Sequence, residues 1–376
     1  MSYDVAIVGA GILGLAHALA AARRGKRVVV IERDAVAAGA SIRNFGFVTV
    51  TGQEAGDCWT LARRSRDVWA EVAEAARIPV LHEGLLVTAR SPEAEAVIDA
   101  FLATEMGAGC DRLTVDGARQ RCPALRPEGV TAALLSPHEL RVESKTAIPA
   151  LARWLAEAHG VDFLWSTLVH GVAAPVLETT RGRIEAETVI VCPGDSFQGL
   201  FADRIAAYAP TRCKLQMMRV VPECPVALGS AVMSDHGLAR YRGYADLPAA
   251  AALKARLDRE QPAKRGNGVH LIVVQSADGS LVVGDTHHYG ETPDPFVSDA
   301  MNALVLDELD TVLDLGARRV SETWIGTYAS AADRWRFTDA PDDATRVVVV
   351  TAGCGASTAF AIGEETIGDL LGSTGT

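Results

Sequence analysis

Tyr3-Asp4-Val5-Ala6-Ile7-Val8-Gly9-Ala10-Gly11-Ile12-Leu13-Gly14 decides the fold of this chain. Tyr3 to Val8 is an apolar run rich in β-branched residues and predicts a buried strand. The glycine-punctuated loop follows at once. A helical stretch, Leu15 to Arg24, comes next, and Gly25 sits where a C-terminal helix glycine belongs. Val28-Val29-Val30-Ile31 predicts a second buried strand, closed by Glu32. Each part has a physical task. Gly9 permits a tight turn, Gly11 lets backbone approach a pyrophosphate, and Gly14 lets helix and strand pack closely. The phosphates would sit on free N–H groups at the helix start. Glu32, about 20 residues further on, can accept from a ribose hydroxyl. A carboxylate there disfavours the 2′-phosphate of NADP.

The same stretch has a competing reading. Val5 to Ala22 is almost continuously apolar apart from His17, as a targeting or membrane segment would be. Met1-Ser2-Tyr3-Asp4 offers no basic flank, and glycines interrupt the run, so a soluble, cytoplasmic chain is expected. Its 376 residues are comfortable for two domains. A net charge of −11 gives no support to nucleic-acid binding. The seven cysteines form no C-x-x-C pair and read as free thiols.

Three later features favour FAD over NAD. Gly39-Ala40-Ser41-Ile42-Arg43-Asn44-Phe45-Gly46 offers small residues, a hydroxyl and an arginine behind the acidic clamp. Thr188 to Val191 predicts a buried strand ended by Cys192-Pro193-Gly194-Asp195. Arg346 to Val350 predicts another, followed by the turn Thr351-Ala352-Gly353-Cys354-Gly355-Ala356-Ser357-Thr358 and a helix over Phe360–Leu371. No second G-x-G-x-x-G is present for a nicotinamide coenzyme.

On these motifs the chain resembles the D-amino-acid oxidase, glycine oxidase and sarcosine oxidase superfamily of flavoproteins over nearly its whole length. The resemblance implies an α/β fold: a Rossmann-type FAD-binding domain plus an α+β substrate domain with a mixed or antiparallel sheet. It puts the discontinuous FAD domain at 1–80, 140–210 and 322–376, and the substrate domain at 81–139 and 211–321. Strands are expected near Leu85–Ala89, Gln216–Val221, Val269–Gln275 and Ser280–Asp285. The implied cofactor residues are Gly9, Ala10, Gly11, Ile12, Gly14, Glu32, Arg33, Ser41, Arg43, Asn44, Phe45, Gly46, Val169, Pro193, Gly194, Gly353, Gly355, Ala356, Ser357 and Thr358. Ser41 to Gly46, Cys213 to Met217 and Trp324 to Ser330 are similar to the branch associated with aminophosphonate breakdown.

Departures from the relatives matter too. Where some members tether FAD through a Cys two residues before a Tyr, this chain has Gly326 ahead of Tyr328. Others use a His in the segment where this chain has Arg43 and Asn44. Non-covalent FAD is therefore expected. Val282 stands where sarcosine oxidases carry a Lys that helps oxygen react.

In such chemistry the flavin accepts hydride, while protein groups position the substrate. The substrate amine must be neutral, and its anionic end needs an anchor. Candidate anchors are Arg212 and Lys214, then His236, Arg240 and Arg242 beside Tyr241 and Tyr244. His287, Tyr328, Arg334 and Arg336 follow. The resemblance puts the substrate arginine of the relatives in the region Ala331–Arg336, where the choice between Arg334 and Arg336 stays open, with Arg336 preferred. A guanidinium grips an oxygen pair as an ammonium cannot. Neighbouring His287 and His288 point to opposite faces of a strand, so at most one faces the flavin. No third ligand is spaced with them, and no metal is expected. Gln53 is a further polar candidate near the flavin. Cys354 reads as packing, because no resolving Cys is near it in sequence. Arg63, Arg64 and Arg66 read as the solvated face of a helix over Thr60–Ala76, with Leu61, Val68, Trp69 and Val72 as core or an oligomer contact.

The expected function is an FAD-dependent amine oxidoreductase, in first place an oxidase of a small aminoalkylphosphonate such as 2-aminoethylphosphonate or its N-methyl form. The product would be an imine, hydrolysed to an aldehyde, with O2 as acceptor and hydrogen peroxide released. The alternatives are a glycine, sarcosine or D-amino-acid oxidase with one Arg on a carboxylate, a dehydrogenase of the same fold, and a flavin-binding subunit without chemistry of its own.

Overall fold

The computed structural model describes residues 2–372, so the last four residues of the expected C-terminal FAD segment lie outside the described residues. Two sheets organise the chain. In the first, strands 345–350, 182–191, 2–8, 28–31 and 162–164 lie side by side and parallel. Arg336–Asp339 joins its edge antiparallel. The opening strand is flanked on both sides, with Val5 paired to Thr188 and to Val28. Val5 and Ile7 bury one face against Leu15, Leu19 and Phe360, while Ala6 buries the other with Val29 and Val189. Burial on both faces is why the run is continuously apolar rather than alternating.

The expected helices form at Ile12–Ala22, Asp57–Ala75 and Gly355–Leu371, each starting a few residues earlier than the sequence predicts. The first and last of these cross closely, since a Cβ at Gly363 would lie 2.9 Å from the Ala16 carbonyl. The Asp57–Ala75 helix turns Leu61, Val68, Trp69 and Val72 into the same core, and Trp69 Nε1 donates to the Ala356 carbonyl at 2.8 Å. That stripe is core. On its other face Arg64 pairs with Glu364 at 2.7 Å.

The second sheet is mostly antiparallel and contains Val80–Ala89, Ala132–Val142, Thr211–Pro222, Ile272–Gln275 and Leu281–Gly284. Its longest ladder pairs Thr211–Pro222 with Arg318–Ser330. The expected boundary at residue 322 falls inside that last strand, which stays in the second sheet to its end. Among the described residues no helix is long and apolar enough to cross a membrane.

His17 is fully buried in the first helix, where its Nδ1 donates to the Leu13 carbonyl at 2.6 Å. Burial depresses its pKa from 6.5 to about 4, against the pull of that carbonyl. Between these values the unfolded chain binds the proton and the folded one does not, so stability falls as pH falls. The full loss is on the order of 3 kcal/mol. A His17→Gln variant should show a correspondingly shallower decline of its urea midpoint between about pH 6.5 and 4. An equal decline in both proteins would remove His17 as the cause.

Candidate active site

A cavity of about 480 Å³ opens between the two sheets, within the usual range for small-molecule sites. One end is walled by the turns after the parallel strands. Gly9 has φ +105°, and a Cβ there would lie 2.6 Å from the Cys192 carbonyl oxygen. A Cβ at Gly14 would fall 1.9 Å from the Gly9 carbonyl oxygen, so the helix approaches the strand only because that position is bare. Gly11 lines the cavity, and a Cβ there would meet Ser41 Oγ at 3.0 Å. Ser41 Oγ accepts from Ile12 N at 2.9 Å, and Glu32 Oε2 accepts from Ala10 N at 2.8 Å. The second turn, Gly353 to Ser357, forms the next part of the wall.

Ile12, Arg43, Asn44, Phe45 and Gly194 line the cavity with these residues. Gly9, Ala10, Glu32, Arg33, Gly46, Val169, Pro193 and Thr358 do not. Several of them have other tasks. A Cβ at Gly46 would be 1.7 Å from the Val142 carbonyl oxygen, so its bareness serves backbone packing. Val169 is buried in an edge hairpin opposite Thr179. Thr358 Oγ1 donates back to the Cys354 carbonyl at 3.0 Å. Arg33 lies at the surface near Asp34. The bare glycine turns, the carboxylate held at the first of them and the continuous cavity fit an extended dinucleotide with its pyrophosphate at the first turn.

The other end is lined by the second sheet. Tyr328 lies against the Gly353 turn, where a Cβ would be only 3.1 Å from its ring. Burial raises its hydroxyl well above the ordinary tyrosine range, so it stays protonated. Gln53 is buried on the cavity and donates to the Thr49 carbonyl at 3.3 Å. His287 is buried on the cavity with Nδ1 bonded to the Gly268 carbonyl at 2.9 Å. Burial pushes it well below the ordinary imidazole range, against the pull of Asp285. His288 points away and meets Asn267 at 3.1 Å, as strand alternation requires.

Two expected site residues lie elsewhere. Lys214 does not line the cavity; its Nζ donates to Asp294 at 2.9 Å and to the Phe296 carbonyl at 2.7 Å. Its neighbours Cys213 and Leu215 face the core beside the cavity, so Lys214 must face the other way. Arg336 is also outside the cavity, tied to Asp57 at 2.9 Å and Glu365 at 2.7 Å. Arg334 does line it, though Asp333 holds its guanidinium at 2.6 Å.

Arg240, another of the candidate cations, is placed differently. It lines the cavity, donates to Tyr289 Oη at 2.9 Å and, among the described residues, has no carboxylate ion-pair partner. Arg242, also on the wall, is tied to Glu54 and Asp246. His270 and Asp285 stand nearby and were not singled out in the sequence. The Asp285-x-His287 spacing at a strand end would have marked the aspartate, because residues two apart share a face. Nothing local marks His270. Cys354 also has an unforeseen neighbour on the cavity, Cys58. The Cys58 thiol beside it holds Cys354 below the ordinary thiol range, against burial, while Cys58 Sγ itself donates to Gln53 Oε1 at 3.7 Å. Distance along the chain was thus no guide to which thiols meet.

The sequence profile of the family described as FAD dependent oxidoreductase (DAO) matches residues 4–368. Glycine oxidase of Geobacillus kaustophilus (strain HTA426) is 28% identical over 206 residues, which is 51% of this chain and 54% of that protein. The match thus spans about half the length of that curated relative. Among solved structures, glycine oxidase from Geobacillus kaustophilus superposes with a TM-score of 0.77 at 21% identity, covering 100% of this chain and 96% of that one. L-proline dehydrogenase from P. horikoshii gives 0.78 at 20% identity, covering 98% and 92%. Iminodiacetate oxidase from Chelativorans sp. BNC1 gives 0.73 at 20% identity, covering 98% and 95%. At these identities the structural likenesses show the fold.

Proposed function

The chain belongs to the family of FAD-dependent oxidoreductases, and from that premise we propose that it oxidises a small amine whose far end is an anion held by Arg240. The observation that carries this reading is a guanidinium without a carboxylate partner at the end of the cavity lined by the second sheet. Bound FAD supplies a hydride acceptor for the carbon beside the amine. The chain's own groups do the rest. Arg240 binds the anion with its fork of N–H donors. The protonated hydroxyls of Tyr241 and Tyr328 add donors, since burial raises both. Loss of a hydride, two electrons with one proton, leaves an iminium cation. Loss of its N–H proton gives the imine, and water converts that to a carbonyl product and ammonia, or an amine where the nitrogen carries an alkyl group.

Two substrate classes suit this pocket. Arg240 flanked by tyrosines suits a carboxylate, as in glycine or sarcosine. A phosphonate dianion calls for a second cation. Arg334 lies on the wall and would supply it on leaving Asp333. The aminophosphonate reading draws on that arginine and on the sequence likeness of Trp324 to Ser330.

Anaerobic bleaching of the flavin by a panel tests the proposal. The panel holds 2-aminoethylphosphonate, its N-methyl form, glycine, sarcosine and D-alanine. Bleaching by at least one is expected, and the anion it carries assigns the class. Bleaching by none would sink the amine reading and return the chain to a flavin-binding subunit without this chemistry. Readmitted air then separates an oxidase, which recolours fast, from a dehydrogenase.

A further inference from the structure

The anionic-amine reading leaves one demand unmet. An aliphatic amine with a pKa near that of lysine has only about one molecule in a few thousand neutral at pH 7. The ammonium form has no lone pair to support loss of hydride, so the site needs a group that takes its proton.

His270 and Asp285 are brought together by adjoining strands. Asp285 N donates to the His270 carbonyl at 2.9 Å, just beyond the antiparallel pairing of Ile272–Gln275 with Leu281–Gly284. Both side chains are nearly fully buried and both line the cavity. His270 Nδ1 lies 3.0 Å from Asp285 Oδ1, although off the line of a straight hydrogen bond. Burial works to raise the Asp285 pKa, yet His287, His270 and Arg240 hold it below the ordinary carboxylate range. Asp285 is thus a carboxylate at neutral pH. A carboxylate accepts only, so the proton of neutral His270 sits on Nδ1 and the lone pair on Nε2. Nε2 has no hydrogen-bond partner among the described residues and is not sealed as Nδ1 is.

His287 is less suited to the task. Its Nδ1–H is bonded to the Gly268 carbonyl, and burial holds it well below the range in which an imidazole takes protons at neutral pH. The groups facing His270 are Asp285, the tilted His287 ring at 4.9 Å, the Tyr241 ring edge-on at 5.5 Å, and Arg240 beyond them.

We propose that His270, oriented by Asp285, accepts the ammonium proton of the bound substrate. The step moves one proton and no electrons. An N–H bond of the substrate breaks, an Nε2–H bond forms, and the Asp285 carboxylate stabilises the imidazolium. His270 is the catalytic residue, and Asp285 positions it. This proposal rests on the anionic-amine reading above.

The test compares pH profiles of kcat/KM for FAD-loaded wild type, His270→Asn and Asp285→Asn, with imidazole 15N spectra as a readout independent of turnover. His270→Asn should lower kcat/KM about 100-fold at pH 7. Its rate should then rise about tenfold per pH unit, following the fraction of substrate already neutral. The spectra should place the His270 proton on Nδ1 in the wild type. Asp285→Asn keeps the imidazole and should lower the rate at pH 7 as well, which covers a His270→Asn protein that fails to accumulate. A uniform loss with the wild-type pH slope overturns the proposal, as does an Nε2–H tautomer or an unchanged Asp285→Asn profile. A wild type that oxidises amines alongside any of these results sinks this proposal alone. A wild type that oxidises no amine sinks the proposed function and this step with it.

Discussion

Gly14→Ala is expected to give a colourless protein with a markedly lower urea midpoint. The added Cβ would fall 1.9 Å from the Gly9 carbonyl oxygen and 3.3 Å from an Ile7 methyl. Both the oxygen and the strand it belongs to are fixed. Gly9 N is held by the Ile31 carbonyl at 2.8 Å, and Ile7 pairs with Ile190 and Val30. The helix must therefore move away from the sheet, and its N-terminus moves with it. Overpacking of this kind costs about 3 kcal/mol, and more where backbone must shift. Gly11→Ala is the informative contrast. Its Cβ meets only Ser41 Oγ, at 3.0 Å, and that side chain can rotate. Its urea midpoint should stay near the wild type, while flavin retention falls because the backbone no longer admits the pyrophosphate. Flavin absorbance of the purified proteins and their urea midpoints separate the two effects. A yellow Gly14→Ala protein with the wild-type midpoint would contradict the packing argument.

Arg240→Met is expected to raise KM for the best substrate of the panel roughly 100-fold, from loss of a charge-assisted anchor contributing about 3 kcal/mol. The methionine keeps much of the side-chain volume and removes the charge. Because Arg240 would grip the far anion rather than the reacting carbon, kcat should change far less than KM. Lys214→Ala and Arg336→Leu serve as controls. Their cations are engaged by Asp294 and by Asp57 with Glu365, away from the cavity. Both should leave KM within about twofold, the ordinary spread for substitutions away from such features. If Arg336→Leu raised KM and Arg240→Met did not, the anchor would have been misplaced here.

The placement of Lys214 and Arg336 off the cavity has a common cause. Residue type marks a cation, but strand alternation and the nearest carboxylate decide where it points and whether it is free. The alternation argument separates His287 from His288, and applied to Cys213-Lys214-Leu215 it also turns Lys214 away from the cavity. Arg336 needed more than local reasoning, since Asp57 and Glu365 approach from two helices far apart in sequence.

The sequence by itself determined the opening strand–turn–helix, the second glycine turn and, through them, the family and its cofactor. Those signals are local: a tight turn or a helix pressed on a strand forbids any side chain at one position, and only glycine meets that demand. The tertiary structure alone decided which side chains line the second-sheet end of the cavity. Arg240, His270, Asp285, Cys58 and Cys354 come from separate segments, and they meet because two sheets pack across a common cavity. Arg240, Cys58 and Cys354 are brought in by a turn, a helix and the second glycine turn. His270 and Asp285 adjoin paired strands, so their meeting depends on register, and a one-residue slip would send either to the opposite face.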